Sequence, residues 1–310
     1  MNQNIAILQL MHAQGLGSKT LSNILIKLYK EQIPLEEIVY TSSSDLIHLF
    51  NIRPEVAQSI KDNQEGAYQL SDELDNNYIR IIVKGSEQYP SKLSNMLKRD
   101  APPVLFTAGN LEILEKKSVG FCGSRNVSEN GRFVASESSA ELAKSGVNVI
   151  SGYAKGIDTA AHEAAMNAGG VTTIVLATGI LHFKMKKIIA ETISGENHLI
   201  ISEFIPRLGW AARNAMQRNR IICGLSDVVI IIESGLNGGT FEAGKKAIEL
   251  RRPLFVAEYA DPRESATGNS YFLKRGAIPL RKNKEGKPKL NHIFEALKQN
   301  NSISWQKSLF

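Results

Sequence analysis

The fold is decided by the stretch of sequence from residue 118 to residue 158. It reads SVGFCGSRNVSENGRFVASESSAELAKSGVNVISGYAKGID. Apolar residues dominate 118–122 and 147–150, and a segment with helical spacing, 131–144, lies between these two runs. Two short apolar runs joined by a helix are typical of parallel strands, because a parallel step needs a crossover long enough to hold a helix. The stretch therefore predicts a β-α-β unit.

The same alternation of short apolar runs and helical segments continues along the chain. Further strands are predicted at Thr172–Ala177, Leu199–Ser202, Val228–Ile232 and Leu254–Val256. Further helices are predicted at Asp158–Asn167, Asn214–Cys223 and Thr240–Leu250. Near-continuous apolar strands are typical of a sheet covered by helices on both faces. We therefore predict an α/β fold in which residues 115–282 form a Rossmann-like parallel sheet domain.

Three segments flank this domain. Residues 1–75 show helical spacing and a Gly15-Leu16-Gly17 turn, which predicts a small helical domain of the helix-hairpin-helix or SAM-like type. Such a turn can present amides to a DNA phosphate or can simply join two helices, and both interpretations stay open. Residues 76–114 contain helix-breaking prolines and are interpreted as a linker leading into the sheet domain, with a short β run at 78–83. Residues 283–310 are interpreted as a charged tail with a short helix near Leu290.

Composition limits the classes of function. The 310 residues include 37 Lys and Arg against 31 Asp and Glu, a formal net charge of +6 that weakly favours a polyanionic partner. The sequence has neither a signal peptide nor an apolar run long enough to span a membrane, so we expect a cytoplasmic protein without membrane contact. Cys122 and Cys223 lie far apart in apolar segments, which predicts reduced core thiols and no metal site.

Glycine and basic residues follow the first two predicted strands of the domain. Gly123, Ser124 and Arg125 come directly after one strand, and the run SGYAKGID, 151–158, follows the next. Because ligands of parallel α/β sheets bind outside the carboxyl ends of the strands, these residues are predicted to bind phosphate. The candidate phosphate-binding residues in the second run are Ser151, Gly152, Lys155 and Gly156.

Other features of the same segment argue against a dinucleotide enzyme. The G-x-G-x-x-G pattern is absent, and the second strand ends in Ser151 instead of an acidic residue, so no cofactor is expected. Asp158 is placed to cap the following helix. His162 lies one turn after Asp158, and the pair is interpreted as a structural contact instead of an acid/base pair.

Several motifs together resemble the DprA/Smf DNA-processing family. They are GSR, SGYAKGIDTAAHEAAMNAGG, TTIVLATGI, SEF and RNRIICGLSDVVIIIES, in this order, preceded by YPSKLSNMLKRDAPPVLFTAGN. The resemblance covers residues 89–277. It implies a homodimeric protein that binds and protects single-stranded DNA and helps to load a RecA-type recombinase during natural transformation or recombination.

The resemblance also assigns residues to a positively charged DNA pocket. It places Arg125 and Lys155 in the pocket, with the two arginines of the RNR motif, Arg218 and Arg220, nearby. On a helix these two arginines point about 200° apart, so one of them is expected to be structural, and the sequence leaves open which. Exposed aromatics such as Tyr153 are candidates for stacking on bases.

One loop departs from the family pattern. SGLNGGTFE, 234–242, is similar to the GGxGT…E loop of the LOG nucleotide hydrolases. Gly238, Gly239 and Thr240 are predicted to form an anion cradle in which Thr240 caps a helix. Glu242 is the weak candidate for a catalytic base. The main hypothesis is a DNA-binding protein without enzymatic activity. The alternative is a nucleotide sensor or nucleoside-monophosphate hydrolase, for example in phage defence.

Two further expectations concern the ends of the chain. Longer family members carry a winged-helix domain, and the short segment after residue 282 is expected not to form one. A third functional hypothesis is that residues 1–75 bind duplex or junction DNA while the α/β part dimerises.

Overall fold

The computed structural model describes residues 2–261 and 263–306, and its centre is a nine-stranded sheet. The strands are β1 Arg80–Val83, β2 Val104–Gly109, β3 Ser118–Cys122, β4 Asn148–Ser151, β5 Thr172–Val175, β6 His198–Ser202, β7 Val228–Ile231, β8 Leu254–Ala257 and β9 Ile278–Leu280. Their order is β1-β2-β6-β5-β4-β3-β7-β8-β9. The predicted α/β fold with a Rossmann-like sheet is confirmed.

Helices connect the strands and precede them. The N-terminal helices are α1 Asn2–His12, α2 Ser18–Lys30, α3 Glu37–Tyr40, α4 Ser43–Phe50, α5 Pro54–Asp62 and α6 Gln64–Asn76. The later helices are α7 Ser91–Leu97, α8 Glu129–Lys144, α9 Ile157–Asn167, α10 Lys187–Ala190, α11 Ala212–Leu225, α12 Gly239–Glu249, α13 Asn269–Leu273 and α14 Asn291–Gln306. Short 3-10 turns occur at Lys98–Asp100, Leu111–Glu115, Ile180–His182 and Glu264–Ala266.

The main difference from the predicted fold concerns residues 76–114, which were interpreted as a linker. They contribute β1 and β2 to the sheet, and β2 pairs antiparallel with both β1 and β6. The remaining neighbours pair in parallel. The prolines at 102 and 103 lie just before β2, so they do not interrupt its ladder of hydrogen bonds. The sheet is therefore mixed at one end, and this segment is part of the α/β layer.

The strands are buried on both faces, as their apolar sequences predict. In β7, Val229 and Ile231 pack into one hydrophobic cluster, while Val228 and Ile230 pack into another on the opposite face. The alternation follows from the two-residue period of a strand. Helices α7, α11 and α12 contribute to the first cluster, and α8, α9 and α14 contribute to the second. The last helix is longer than the short one predicted near Leu290.

The N-terminal helices share a hydrophobic core with one end of the sheet. Ile5 and Leu8 of α1 belong to the same buried cluster as Phe106, Ile174 and Ile200 of the strands. The predicted turn at Gly15 lies between α1 and α2, with Gly15 in the left-handed region at φ 81°. The helical segment is therefore packed firmly against the sheet.

The order of the strands defines where a ligand site is expected. From β3 the chain moves outward through β4, β5 and β6, and it then returns to the other side of β3 with β7. This reversal creates a crevice at the carboxyl ends of β3 and β7, the usual position of ligand sites in open α/β sheets. Throughout residues 2–261 and 263–306, no helix combines the length and apolar content that crossing a bilayer requires.

Candidate functional site

The loops after β3 and β4 form one continuous surface. The amide of Ile157 donates a hydrogen bond of 3.3 Å to the carbonyl oxygen of Ser124. Gly156 has φ 94°, and a Cβ atom there would collide with the carbonyl oxygens of Ser124 and Arg125. Only glycine fits this conformation and this close approach. The two predicted phosphate loops are therefore in direct contact, and we call residues 123–125 together with 152–156 the strand-end rim.

Two basic side chains on the strand-end rim face solvent. Arg125 and Lys155 are both exposed. The Ser124 hydroxyl accepts from the amide of Asn126 at 3.1 Å, which fixes the turn behind Arg125. Exposed guanidinium and ammonium groups on glycine-rich turns can approach a phosphate closely and neutralise it. The geometry suits a polyanion.

The helices behind the strand-end rim begin at other residues than expected. Helix α8 is capped by Ser128, whose hydroxyl accepts from the amide of Gly131 at 2.9 Å, so Gly131 does not open the helix. Helix α9 has Gly156 as its N-cap. Asp158 is therefore not a cap, and its carboxylate instead accepts from the upstream amide of Ala154 at 3.2 Å. In both helices the N-cap is therefore a different residue from the one that the sequence suggested.

The two arginines of the RNR motif lie in different environments. Arg218 is only 5% exposed, and its guanidinium packs against the backbone of Gly152, where a Cβ atom would overlap it. Burial lowers the pKa of Arg218, and the nearby Asp158 carboxylate opposes that shift. Burial likewise raises the pKa of Asp158, opposed by Arg218. Within the described part of the chain, no group accepts a hydrogen bond from Nε or Nη1 of Arg218.

Arg220 is paired instead with an acidic residue. Its two terminal nitrogens each donate to a carboxylate oxygen of Glu203, both at 2.6 Å. The Arg220 side chain is 17% exposed and that of Glu203 is 4% exposed. A bidentate pair of this kind neutralises the guanidinium and fixes its direction. Arg220 is therefore a structural partner of Glu203, whereas Arg218 lies directly beneath the strand-end rim.

The histidine and the two cysteines near the site are buried in the core. His162 is 0% exposed, and its Nδ1 lies 2.7 Å from the hydroxyl of Thr172. Burial, with Arg218 and Lys186 nearby, lowers the pKa of His162 to about 3. Cys122 and Cys223 are free and buried, and burial raises the pKa of both thiols, that of Cys223 to about 12. The predicted position of both thiols in the core is confirmed.

The loop after β7 differs from the predicted anion cradle in one respect. Helix α12 begins at Gly239 with Gly238 as its N-cap, and no side chain caps it, so the predicted capping role of Thr240 is wrong. The side-chain amide of Asn219 donates to the carbonyl oxygen of Gly239 at 2.8 Å, which attaches the loop to α11. Glu242 is half-exposed and forms an ion pair of 2.6 Å with Lys245.

Sequence reasoning missed Lys186, which lies beside the strand-end rim. Its ammonium group donates to the hydroxyl of Thr159 at 2.5 Å and lies 5.0 Å from the centre of the Tyr153 ring. Burial lowers the pKa of Lys186, opposed by Glu163 and Asp158. The Tyr153 hydroxyl accepts from the Lys186 amide at 2.7 Å. The basic run at residues 184–187 is the signal that could have drawn attention to this lysine.

The contacts of Tyr153 show that its ring is less exposed than expected. Its ring packs edge-on against Phe183 at 5.0 Å between centroids and lies 5.9 Å from the His162 ring. With Lys186 also over the ring, Tyr153 is only partly exposed. Tyr153 contacts the segment around Lys186, and its stacking on a base stays a prediction.

The fold and the strand-end rim together define a class of protein. The chain is a Rossmann-like α/β protein that gathers exposed basic side chains on glycine-rich loops at the carboxyl ends of its central strands. The family model described as DNA recombination-mediator protein A matches residues 80–290, more than half of the chain. The chain therefore belongs to the DNA recombination-mediator protein A family, which confirms the resemblance to DprA/Smf proteins.

Comparison with individual proteins supports the same family. Protein Smf of Escherichia coli (strain K12) is 32% identical over 200 residues, which cover 64% of this chain and 53% of Smf. The chain thus matches about half the length of this curated relative. The X-ray structure of DNA processing protein A from Streptococcus pneumoniae is similar with a TM-score of 0.73 and 28% identity, covering 89% of this chain and 94% of that one.

A second solved structure shares the fold. It is DNA processing protein A from Helicobacter pylori, described for its single-stranded DNA binding mode. Its TM-score is 0.57 at 24% identity, and the match covers 72% of this chain and 96% of that one. At this level of identity the likeness shows the fold alone.

Proposed function

We propose that this chain binds single-stranded DNA along the strand-end rim and protects it. The observation that carries the proposal is the contact between two glycine-rich loops that display Arg125 and Lys155 to solvent at the carboxyl ends of β3 and β4. Phosphates of a flexible strand can approach such loops closely and bind by charge, without base-specific contacts. Membership of the DNA recombination-mediator protein A family supports this assignment.

The wider role rests on the family. A homodimer that delivers single-stranded DNA to a RecA-type recombinase, in the cytoplasm and during natural transformation or recombination, is what the family resemblance implies. Membership of the DNA recombination-mediator protein A family supports this wider role. The proposed site comprises the strand-end rim with Arg218 beneath it and the loop of Gly238, Gly239 and Thr240 beside it.

The experiment that tests the proposal compares the two forms of DNA. Fluorescence anisotropy with a labelled oligo-dT and with a blunt duplex of equal length, at the same ionic strength, gives both affinities. We expect the protein to bind the single strand more tightly, because a flexible strand can bring successive phosphates close to the glycine-rich loops. Failure to bind oligo-dT, or equal affinity for the duplex, would remove the proposal.

The alternative of nucleotide hydrolysis has less support. Glu242, its candidate base, is engaged by Lys245, and it is half-exposed on the side of α12. A carboxylate in the first turn of a helix is also stabilised simply by the helix dipole. Incubation with AMP and detection of free adenine tests this alternative directly. Release that depends on Glu242, and is lost in Glu242→Gln, would favour the hydrolase over the DNA-binding protein.

The hypothesis that the helical segment binds DNA needs a test in the intact chain. Deleting residues 1–75 would uncover Phe106, Ile174 and Ile200, which these helices bury. A point substitution of Lys19, which is exposed at the start of α2, leaves these residues buried and tests the helical segment in the intact chain. If Lys19→Glu weakens duplex binding and leaves oligo-dT binding unchanged, the helical segment carries a separate duplex site.

A further inference from the structure

Trp210 is an exposed indole in the loop between β6 and α11. Its exposed fraction is 54%. Tryptophan brings a large apolar surface, and most of that surface is normally buried in a folded protein. An indole left open to water next to a proposed binding site is available for contact with a ligand.

The loop that carries Trp210 is held in place by backbone contacts. The amide of Gly179 donates to the carbonyl oxygen of Leu208 at 2.8 Å, and the amide of Leu181 donates to that of Pro206 at 2.9 Å. Gly179 lies so close to the backbone of Ile205 and Pro206 that a Cβ atom would collide with both. The segment after β5 thus anchors the loop up to Leu208, two residues before Trp210.

Arg125 joins Trp210 to the strand-end rim. The guanidinium carbon of Arg125 lies 5.2 Å from the centre of the indole ring, within the range of a cation–π contact. The guanidinium therefore lies over one face of an indole that is still 54% exposed. A nucleotide has the matching pair of groups, because its anionic phosphate and its flat base are linked through one sugar.

We propose that Trp210 is a stacking platform for a base of the bound strand, with Arg125 beside it holding the adjacent phosphate. This inference rests on the proposed binding of single-stranded DNA and names the residue that contacts a base. Stacking on an aromatic ring tolerates any base, because every base has a π-face. Stacking also favours unpaired nucleotides, because their bases are not held in a duplex and can reach the ring.

An abasic strand separates stacking from phosphate binding. Anisotropy is measured with oligo-dT and with an abasic strand of the same length and charge, for wild type, Trp210→Ala and Trp210→Phe. Tyr29→Ala, which removes an 84% exposed aromatic from α2, is the matched control. We expect Trp210→Ala to weaken oligo-dT binding about 5- to 150-fold and to leave abasic binding unchanged. Trp210→Phe and the control should stay close to wild type.

Tryptophan emission provides an independent readout. The chain has two tryptophans, Trp210 and Trp305, so Trp305→Phe leaves Trp210 as the single reporter. Oligo-dT is expected to quench its emission, and the abasic strand is expected to leave that emission nearly unchanged. Unaltered emission at saturating oligo-dT would overturn the stacking proposal.

The outcomes distinguish this proposal from the one on which it rests. Equal weakening of both strands by Trp210→Ala would mean that the indole only positions Arg125, and binding of single-stranded DNA would stand without stacking. A change of oligomeric state in Trp210→Ala without DNA would identify the indole as a contact between two copies of the chain and overturn the proposal. Wild-type protein that binds neither strand would remove the proposed function itself.

Discussion

Two faces of helix α11 carry the same type of residue in different roles. On one face Arg218 is buried against Gly152, near Asp158, beneath the strand-end rim. On the other face Arg220 forms a bidentate ion pair with Glu203. The two arginines are separated by a single residue in the sequence. The comparison teaches that the fold decides which acidic group each arginine of a motif meets: Arg220 pairs directly with Glu203, whereas Arg218 lies near Asp158.

The largest effect is expected at the ion pair. Arg220→Ala leaves the Glu203 carboxylate buried without its partner, and breaking a buried pair in this way costs about 3 kcal/mol of the free energy of unfolding. Urea denaturation measures this loss. Arg213→Ala, at an exposed arginine of the same helix, is the control and should change stability by less than about 0.5 kcal/mol. A reduced salt dependence of oligo-dT binding in Arg220→Ala would contradict the structural role.

A smaller, pH-dependent effect is expected at Arg218. Arg218→Ala should cost about 2 kcal/mol at neutral pH, because Asp158 loses the charge that favours its ionised form. Burial already raises the pKa of Asp158, and without Arg218 that pKa rises further. The folded variant then holds its proton more tightly than the unfolded chain, so its stability falls as the pH rises through this range.

The sign of this dependence can be checked directly. Urea denaturation of wild type and Arg218→Ala at about pH 4.5 and about pH 7.5 should give the larger difference between them at the higher pH. An equal difference at both values would mean that Asp158 does not sense Arg218, and the contrast between the two faces of α11 would lose its electrostatic basis.

The smallest effect expected is an interaction between two substitutions. Gly152→Ala places a methyl group where the Arg218 guanidinium lies, so it must displace that side chain. In the Arg218→Ala background the space is vacant, and the same substitution should cost about 1 kcal/mol less. A double-mutant cycle of unfolding free energies measures the coupling. Additive effects would show that the two residues do not share the space assigned to them.

Most of the fold could be predicted because its strands are buried on both faces. The apolar runs at β3, β4 and β7 are nearly continuous, and a helical segment separates consecutive strands. The exception is the end of the sheet. The prolines before β2 were interpreted as marks of a linker, and nothing local indicates that β2 runs antiparallel to both neighbours. That pairing depends on contacts between distant segments.

The site was predictable only in part, for a similar reason. The glycines at 152 and 156 share one short run with Lys155, and Arg125 lies in the separate GSR run, so local sequence marks both loops. The partners of Arg218 and Arg220 depend on which elements face α11. Lys186 and Trp210 reach the strand-end rim from loops after β5 and β6, and only the folded arrangement of the strands brings them there.

The salt dependence of binding tests the central claim most directly. Oligo-dT affinity is measured over a range of salt concentrations for wild type, Arg125→Ala, Lys155→Ala and a control, Lys116→Ala, whose exposed lysine precedes β3 at the opposite edge of the sheet. Each rim substitution removes one phosphate contact, so it should lower the magnitude of the slope of log affinity against log salt by about 0.7. The control should keep the wild-type slope. Slopes that coincide for all four proteins would contradict binding at the strand-end rim.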